Sequence, residues 1–425
     1  MKRIVLISTV LCLCFMTASA QNVRYLIRQN AGHTGGGWAV IDDIPASAKG
    51  ATVYAADGTE IPSQADDLDG DGRLDELVFK VTEAPCEIVV KYSKKPVTHN
   101  YAPRVNAQMW WKNEDGTLTE SRVLWSDKDD MYRKLHHHGP AFESEYAAYR
   151  IYFDKKQSVD TYGKKRPALE LRETMWYPSA EQLAAGYGHD NMRVFGSVSV
   201  GALKGWSAEN RTAEHIVDMR RREATIRAAG PLRTVVDMRV EGWKYGDREI
   251  DMTSRYILYA GGSAVKVENR ITGKDVDELE FATGVMKMAR NLGLNIERND
   301  KIWLLSTTGE DFPENDTLYW ERETMGLAVA LPAGQVVSQT DDPLSYLCQL
   351  HPVDGRIDYW FCASWRKSGF LSDGERERPD LAASREVEAA VGSELRAVRV
   401  LKHKNIKGRP SGGTLRKLRP ELSLR

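Results

Sequence analysis

The sequence predicts an all-β protein, a β-sandwich or supersandwich with a small β unit at its amino-terminal end. Apolar and polar residues alternate along short segments, for example at Val236, Met238 and Val240, which is the pattern of strands with one buried face. Clusters of Gly, Asp, Asn and Pro separate these segments, and helical periodicity is scarce. Strands of this kind bury their apolar faces by packing sheet on sheet, which gives the sandwich class.

Seven segments carry the strand pattern most clearly. They are residues 148–153, 193–200, 233–243, 255–260, 279–288, 302–306 and 326–331. Residues 21–100 are expected to form the small amino-terminal unit, because Lys94, Lys95 and Pro96 have the composition of a linker. Residues 101–370 are expected to form the supersandwich.

The composition describes a globular chain that is long enough for a large core. Of 425 residues, 42% are apolar and 28% are charged. Lys and Arg total 59 against 60 for Asp and Glu, a net charge of -1, so no overall basic field attracts nucleic acid or anionic lipid. The chain has 11 Trp and 17 Tyr but only 9 Phe, and aromatic rings with a polar group are common in sugar-binding clefts. The expected partner is therefore a polysaccharide or oligosaccharide, with no nucleic-acid partner.

An apolar run near the start of the chain predicts a secretory signal peptide at residues 1–20. Lys2 and Arg3 precede the run, and small residues up to Ala20 provide a cleavage site. The expected location is therefore periplasmic or secreted. No other segment approaches the roughly 20 consecutive apolar residues of a membrane span, so we expect no membrane insertion.

The last segment, residues 371–425, differs from the rest in composition. It contains no Phe, Tyr or Trp and has 13 basic against 8 acidic residues. Such a stretch has little apolar surface to bury on folding. We expect either a basic, disordered tail or an aberrant end of the reading frame.

A short acidic loop predicts a calcium site with a structural role. Acidic residues recur at alternate positions around Gly72, which makes the sharp turn, and calcium binds several oxygen atoms at once. The glutamate that closes an EF-hand loop is replaced by Val78, so the loop leads into a strand rather than a helix. The expected ligands are the side chains of Asp67, Asp69, Asp71 and Asp75 and the carbonyl oxygen of Arg73. A solvated acidic turn without an ion is the alternative.

Three residues are candidates for proton transfer. His138 ends a run of three histidines, Tyr162 lies in a segment rich in Tyr, Arg and Lys, and His189 lies in a glycine-flanked loop. A histidine or tyrosine base can remove a proton beside a sugar carboxylate if a cation neutralises that carboxylate. The candidate substrate-binding residues are Arg150, Lys164, Arg220 and Arg255 for the carboxylate and Trp206 for stacking on the sugar. For each of these residues, a purely structural role is the alternative to a role in catalysis or binding.

Several enzyme classes are excluded by their missing motifs. The sequence has no G-x-S-x-G, P-loop or H-E-x-x-H motif, so serine hydrolases of the nucleophile-elbow type, NTPases and zincins are not expected.

Three neighbouring segments resemble a known secreted family, the domain of unknown function 4861. They are His137-His138-Gly139-Pro140-Ala141-Phe142-Glu143, the run from Ala148 to Asp154, and the run from Val159 to Lys164. The resemblance spans roughly residues 22 to 370. It implies a galactose-mutarotase-like supersandwich and a carbohydrate-active protein, because members are encoded beside polysaccharide lyases and unsaturated-uronide hydrolases in polysaccharide-utilisation loci. It assigns no catalytic residue.

The sequence therefore favours a periplasmic carbohydrate-active enzyme. We expect it to act on a polysaccharide or oligosaccharide that contains uronic acid, by β-elimination or by glycosidic hydrolysis. Two alternatives stay open: a glycan-binding module without catalysis, and a mutarotase-like sugar epimerase.

Overall fold

The structure is a computed structural model that describes residues 21–29, 35–128, 131–311 and 322–400. The expected signal peptide lies outside these residues, as does the part of the expected tail after residue 400.

The described residues form mainly β-strands. In chain order the first strands are β1 Gln21–Gln29, β2 Gly35–Ile41, β3 Gly50–Ala55, β4 Glu60–Ile61, β5 Ser63–Asp66, β6 Glu76–Ala84, β7 Cys86–Ser93, β8 Val105–Gln108, β9 Trp110–Lys112 and β10 Leu118–Glu120. The next are β11 Val123–Ser126, β12 Ala141–Ser144, β13 Ala148–Ile151, β14 Val159–Gly163, β15 His189–Asp190, β16 Lys204–Ser207, β17 Thr212–Glu214, β18 Arg221–Ala229, β19 Arg233–Tyr245 and β20 Arg248–Tyr259. The last are β21 Val265–Gly273, β22 Phe281–Met286, β23 Arg290–Arg298, β24 Ile302–Asp311, β25 Glu323–Pro332, β26 Val336–Asp341, β27 Ser345–Leu350, β28 Arg356–Trp365 and β29 Glu394–Arg399.

Helices are short and few among the described residues. They are α1 Met131–Lys134, α2 Leu171–Thr174, α3 Ala180–Ala184, α4 Asp373–Glu377 and α5 Pro379–Gly392, with two single-turn 3-10 helices at Val276–Glu278 and Ala333–Gln335.

Sheets packed face to face build the molecule. The central sheet has nine strands in the order β11-β18-β19-β20-β21-β28-β25-β24-β23. The inner face of the central sheet shares one apolar core with two five-stranded sheets. Their strand orders are β15-β14-β13-β12-β8 and β17-β16-β22-β27-β26. Val236, Met238 and Val240 of β19 lie fully buried in that core, as their alternation predicts. The prediction of an all-β sandwich is confirmed.

The amino-terminal strands cover part of the outer face of the central sheet. Their eight-stranded sheet has the order β4-β3-β7-β1-β29-β2-β6-β5 and encloses an apolar core of its own. Trp38 of β2 stacks on Tyr259 of β20 with ring centroids 4.9 Å apart. Arg233 of β19 is buried and lies 2.7 Å from carboxylate oxygens of both Asp66 and Glu76. Apolar packing and a buried ion-pair group therefore join this sheet to the central one.

The expected tail is folded from residue 371 to residue 400, so the prediction of disorder is wrong for that part. Strand β29 lies between β1, with which it pairs antiparallel, and β2, with which it pairs parallel. The amino-terminal sheet is therefore not continuous in sequence. The lack of aromatic residues did not indicate disorder here, because α5 packs on the sheet through small buried side chains.

Helix α5 packs closely on the outer face of the central sheet. A β-carbon added to Gly326 would lie 2.0 Å from the carbonyl carbon of Pro379, so glycine leaves room for the first turn of the helix. Thr308 Oγ1 donates a hydrogen bond of 2.7 Å to Asp380 Oδ1. Val387 is fully buried in the apolar cluster beneath the helix.

One expected strand is absent. Residues 193–200 form an irregular segment whose single ladder contact is an isolated bridge from Val200 to Val285. Alternation alone does not make a strand where no neighbouring strand continues the ladder.

Substitution of Val387 tests whether α5 is an integral part of the fold. Val387→Asp places an unpaired carboxylate against the central sheet and is expected to lower the free energy of unfolding by about 3 kcal/mol or more. Ala389→Asp, at an exposed position of the same helix, is the control and is expected to change it by less than about 0.5 kcal/mol. Urea unfolding followed by tryptophan fluorescence measures both. Equal stability of the two variants contradicts the packing of α5 on the central sheet.

Candidate functional site

One five-stranded sheet carries a polar outer face. Arg150 of β13 pairs with Asp160 of β14, and Tyr162 of β14 pairs with Asp190 of β15. Side chains at every second position share a face, so these four residues point away from the apolar core. The intervening residues, such as Tyr149, are buried in that core.

Arg150 is the centre of this face. Its Nε and Nη2 donate to Asp160 Oδ2 at 2.9 and 2.6 Å. The same Nη2 lies 2.9 Å from Asp190 Oδ2 and 3.1 Å from the Tyr152 hydroxyl. Its Nη1 donates to the Tyr177 hydroxyl at 2.9 Å. One guanidinium therefore holds two carboxylates and two phenols.

The two carboxylates differ in their surroundings. The Asp160 side chain is only 1% exposed, whereas that of Asp190 is 15% exposed. Burial, followed by the negative charge of Asp190, raises the pKa of Asp160 to about 7, although Arg150 acts in the opposite direction. Trp176 Nε1 donates to Asp190 Oδ2 at 2.9 Å. Asp190 is thus held in place and still reaches solvent, while Asp160 lies behind it with a pKa that burial raises.

The three histidines lie in a turn beside Arg150. His138 has a left-handed backbone with φ of 67°, and its ring stacks on Tyr152 at a centroid distance of 5.4 Å. Its Nδ1 lies 3.0 Å from the carbonyl oxygen of Tyr132, and a carbonyl only accepts, so Nδ1 carries the proton. Burial, and then the charge of Arg150, lowers the pKa of His138 to about 4. His138 is therefore a neutral imidazole near pH 7 with an unprotonated Nε2.

The other two histidines are held by their own buried contacts. His136 Nε2 is 3.1 Å from the carbonyl oxygen of Met175, and its ring meets Tyr177 edge-on. His137 is fully buried with its Nε2 3.1 Å from the amide nitrogen of Gln108. Burial lowers the pKa of His136 below its usual value and that of His137 to about 3.

Tyr162 and Lys164 form a separate, buried network. The Tyr162 hydroxyl donates to Glu170 Oε2 at 3.0 Å. Lys164 Nζ donates at 2.6 Å to Glu143 and to two backbone carbonyls. Glu143 in turn accepts from the backbone N–H groups of Glu170 and Leu171. The structure thus places Tyr162 and Lys164, the expected base and carboxylate binder, in a network that anchors α2 on the sheet, and their roles in proton transfer and binding stay predictions.

His189 lies on the opposite face from Tyr162. Its Nε2 is 3.0 Å from Glu323 Oε1, and it is buried edge-on to Trp365. Successive strand residues point to opposite faces, so in the His189-Asp190 pair it is Asp190 that reaches Arg150. The structure does not bring His138, Tyr162 and His189 together as one catalytic group.

The remaining candidates lie away from Arg150. Arg220 is 66% exposed beside Glu249, and Trp206 packs in a small apolar cluster. Arg255 lies on the outer face of the central sheet, bonded to Asp237. Strand register brings Asp160 and Asp190 to Arg150. Five residues around Arg150 are not among the candidates named from the sequence: Asp160, Asp190, Tyr152, Tyr177 and His136.

The acidic loop is compact. One carboxylate oxygen from each of Asp67, Asp69 and Asp71 lies within 4.8 Å of the others. Asp67 accepts hydrogen bonds from the backbone N–H groups of Gly70 and Gly72 at 2.8 Å. Asp75 Oδ2 instead accepts from Leu68 and Asp69 backbone N–H groups. Three of the four expected side-chain ligands therefore converge, and the fourth closes the loop.

Comparison with known proteins assigns the family. Residues 40–375 match the sequence profile of DUF4861, described as a domain of unknown function. The chain belongs to the DUF4861 family. The match confirms the resemblance seen in the sequence, and it includes Arg150, Asp160 and Asp190. No curated protein matches the chain significantly.

Three solved structures are similar to this DUF4861 protein at low identity. An α-mannosidase from Enterococcus faecalis is 9% identical over 90% of this chain, with a TM-score of 0.38. A glycosyl hydrolase family 38 protein from the same species is 7% identical over 90%, with a TM-score of 0.44. A proposed aldose 1-epimerase from Klebsiella pneumoniae is 8% identical over 68% of this chain and 98% of its own, with a TM-score of 0.32. The chain spans about half the length of the first two, 46% and 48%.

Within the described ranges, no helix of the DUF4861 protein has both the length and the apolar character needed to cross a bilayer.

The buried histidines predict a loss of stability in acid. His137 has its folded pKa lowered from 6.5 to about 3, so between these values the unfolded chain binds the proton more tightly. Its contribution is complete above pH 6.5 and is lost as the pH falls towards 3. Each tenfold difference in proton affinity between the folded and unfolded chain corresponds to about 1.4 kcal/mol, so the loss amounts to a few kcal/mol.

Urea unfolding from neutral pH to about pH 4 measures this loss. His137→Gln is expected to lose less stability than the unaltered protein over that interval, and the control His351→Gln, a half-exposed histidine, is expected to follow the unaltered protein. Identical pH profiles for all three proteins contradict the assignment.

Proposed function

We propose that this protein is a carbohydrate-active enzyme that hydrolyses a glycosidic bond, with Asp190 as the group that contacts the reacting atoms. The observation that carries the proposal is the pair of carboxylates held by Arg150, one buried with a raised pKa and one reaching solvent. A carboxylate that is held rigidly and still reaches solvent is the kind of group that acts at the reacting carbon in glycosidic hydrolysis.

Asp190 and His138 have complementary properties for proton transfer. Asp190 is fixed by Arg150 and Trp176, so its remaining exposed surface faces a substrate in a defined orientation. His138 presents an unprotonated Nε2, and among the described residues this atom has no hydrogen-bond partner. It is placed to accept the proton of the attacking water and to return that proton to the oxygen of the leaving group, so that the hydrolysis balances. Asp160 is a positioning residue, since it holds the Arg150 guanidinium that contacts Asp190.

Aromatic rings around Arg150 provide a surface for a sugar. Tyr177 is 44% exposed, and Tyr152 and His138 are partly exposed. The Arg150 guanidinium lies 5.1 Å from the Tyr152 ring centroid and 5.9 Å from that of Tyr177. Half-exposed rings with polar edges stack on the apolar face of a pyranose.

The charge of the site favours hydrolysis over elimination. Elimination from a uronate needs a cation that neutralises the substrate carboxylate, and Arg150 already contacts both Asp160 and Asp190. If the substrate contains uronic acid, its carboxylate must therefore be bound by a residue other than Arg150. A periplasmic or secreted location is proposed from the leader sequence alone.

Activity assays on a panel of polysaccharides and oligosaccharides test the function. Release of reducing ends without a new ultraviolet absorbance is the expected result, because hydrolysis forms no C=C bond. Asp190→Asn is expected to lower kcat by about 100-fold or more. Asp247→Asn, which removes a carboxylate that is 91% exposed, is the control and is expected to leave kcat unchanged.

Three other outcomes contradict the proposal. An absorbance increase that depends on Asp190 identifies a lyase, and conversion of free sugar anomers without bond cleavage identifies an epimerase. Retention of glycan without turnover leaves a binding module as the better account.

We also propose that the loop of Asp67, Asp69 and Asp71 binds calcium in a structural role. The three converging carboxylates supply the hard oxygen ligands that calcium requires. The positive φ angles of Gly70 and Gly72, 83° and 81°, let the backbone turn within the loop.

Calorimetric titration of chelator-treated protein tests the calcium proposal. Calcium at about 100 times its dissociation constant is expected to stabilise the fold by about 2.7 kcal/mol, with little effect of magnesium. Asp69→Asn is expected to abolish the calcium response. Asp115→Asn alters a similar exposed turn outside the loop and is expected to retain it, so loss in both variants counts against the site.

A further inference from the structure

A groove on the outer side of the central sheet lies next to the acidic loop. It encloses about 320 Å³, which is enough for one sugar ring by the usual size of ligand pockets. The groove is lined by Asp42, Leu68, Asp69, Asp75, Glu76, Arg227 and Arg255. It lies on the opposite side of the sandwich from Asp190, because Asp190 is on the outer face of the sheet that covers the other side of the core.

Two arginines of the groove share a single carboxylate. Arg255 Nε and Nη2 donate to the two oxygens of Asp237 at 2.8 and 2.9 Å. Arg227 Nε donates to Asp237 Oδ2 at 3.0 Å. The Arg227 and Arg255 side chains are 27% and 26% exposed. Guanidinium groups stay charged, so the groove has two fixed cations next to the carboxylates of Asp42, Asp69, Asp75 and Glu76.

The unused nitrogens of these arginines are available to a ligand. Among the described residues, the terminal nitrogens of Arg227 and the Nη1 of Arg255 have no hydrogen-bond partner. Arg227 is also the residue at which the pairing of β18 with β19 shifts, between Ile226 and Ala228. A bulge of this kind redirects a side chain and is common beside functional sites. A pair of fork-shaped donors in this arrangement matches a planar carboxylate.

The groove lining also offers hydrogen-bond acceptors. Asp42 and Asp75 place carboxylates on the lining, and sugar hydroxyls are suitable donors to them. Glu76 is held by Arg233 at 2.7 Å. A ligand that has both an anionic group and several hydroxyls is complementary to this mixed lining.

We propose that this groove binds a carboxylate-bearing sugar, a uronate unit of a glycan, with its carboxylate on Arg227 and Arg255. The inference deepens the proposed function and rests on it for the glycan, since it names the acidic unit that the Asp190 site has no free cation to bind. The groove holds the polymer at a point remote from the bond that is cleaved.

Calcium in the neighbouring loop is expected to strengthen this binding. Asp69 belongs both to the groove lining and to the three converging carboxylates. A bound divalent cation reduces the negative charge that faces the sugar carboxylate. The two ligands therefore bind with positive coupling, and each raises the affinity of the other by the same factor.

Titration calorimetry with glucuronate and galacturonate tests the proposal, with glucose and galactose as their neutral counterparts. The uronates are expected to bind at least about tenfold more tightly than the neutral sugars. Arg227→Gln is expected to lose that preference, because it keeps the Arg255–Asp237 pair while removing one guanidinium. Arg239→Gln, on the same outer face and 47% exposed, is the matched control and is expected to bind as the unaltered protein does. Chelation of calcium is expected to weaken uronate binding.

Other results overturn the proposal. Equal affinity for glucose and glucuronate, or equal affinity in the Arg227→Gln and Arg239→Gln variants, removes the groove as a carboxylate site. Tighter binding of glucose 6-sulfate than of glucuronate contradicts the assignment to carboxylates. Uronate binding that is lost in Asp190→Asn and kept in Arg227→Gln places the carboxylate in the other site.

The same variants separate this inference from the proposed enzyme activity. Uronate binding that depends on Arg227 in a protein without hydrolytic activity rejects the enzyme and supports the groove. Hydrolysis that depends on Asp190 without uronate binding rejects the groove and supports the enzyme.

Discussion

The buried charge of Arg150 is the constraint around which the candidate site is built. A guanidinium that is 4% exposed is costly to bury unless carboxylates and hydrogen bonds compensate it. Asp160 comes from the paired strand β14, Asp190 from β15, Tyr152 from the residue after β13, and Tyr177 from the segment after α2. The strand pairing that forms the sheet therefore also forms the polar centre. The same enclosure raises the pKa of Asp160 and lowers that of His138.

The fold class could be predicted from the sequence because alternation is a local property. Val236, Met238 and Val240 face the core whatever strands lie beside them. The position of β29 could not be predicted in this way, since its partners β1 and β2 lie more than 350 residues earlier in the chain. Its segment has few large apolar residues, and its stability comes from two ladders of backbone hydrogen bonds and from Leu395 in the core of the first sheet.

The candidate site was predicted in part, and the errors have a common physical cause. The sequence identified the segments of Arg150, Tyr162 and His189, but it did not show which polar side chains compensate each other. Tyr162 and Lys164 are occupied by Glu170 and Glu143, and His189 points to the other side of its strand. Arg150 pairs with Asp160 on the neighbouring strand, so the two side chains share a face. On the next strand, Asp190 lies on that same face and His189 on the opposite one. Register, which only the structure supplies, therefore decided the assignment.

The two proposed sites differ in the ratio of guanidinium groups to carboxylates. At Asp190 the Arg150 guanidinium already contacts two carboxylates. It therefore has no uncompensated charge with which to bind an acidic sugar. At Asp237 the ratio is reversed, with two guanidinium groups on one carboxylate. The core of the sandwich lies between the two proposed sites. If both proposals hold, an acidic polymer bound at Arg227 and Arg255 reaches Asp190 only around the edge of the sandwich, which requires a long, flexible chain rather than a short oligosaccharide.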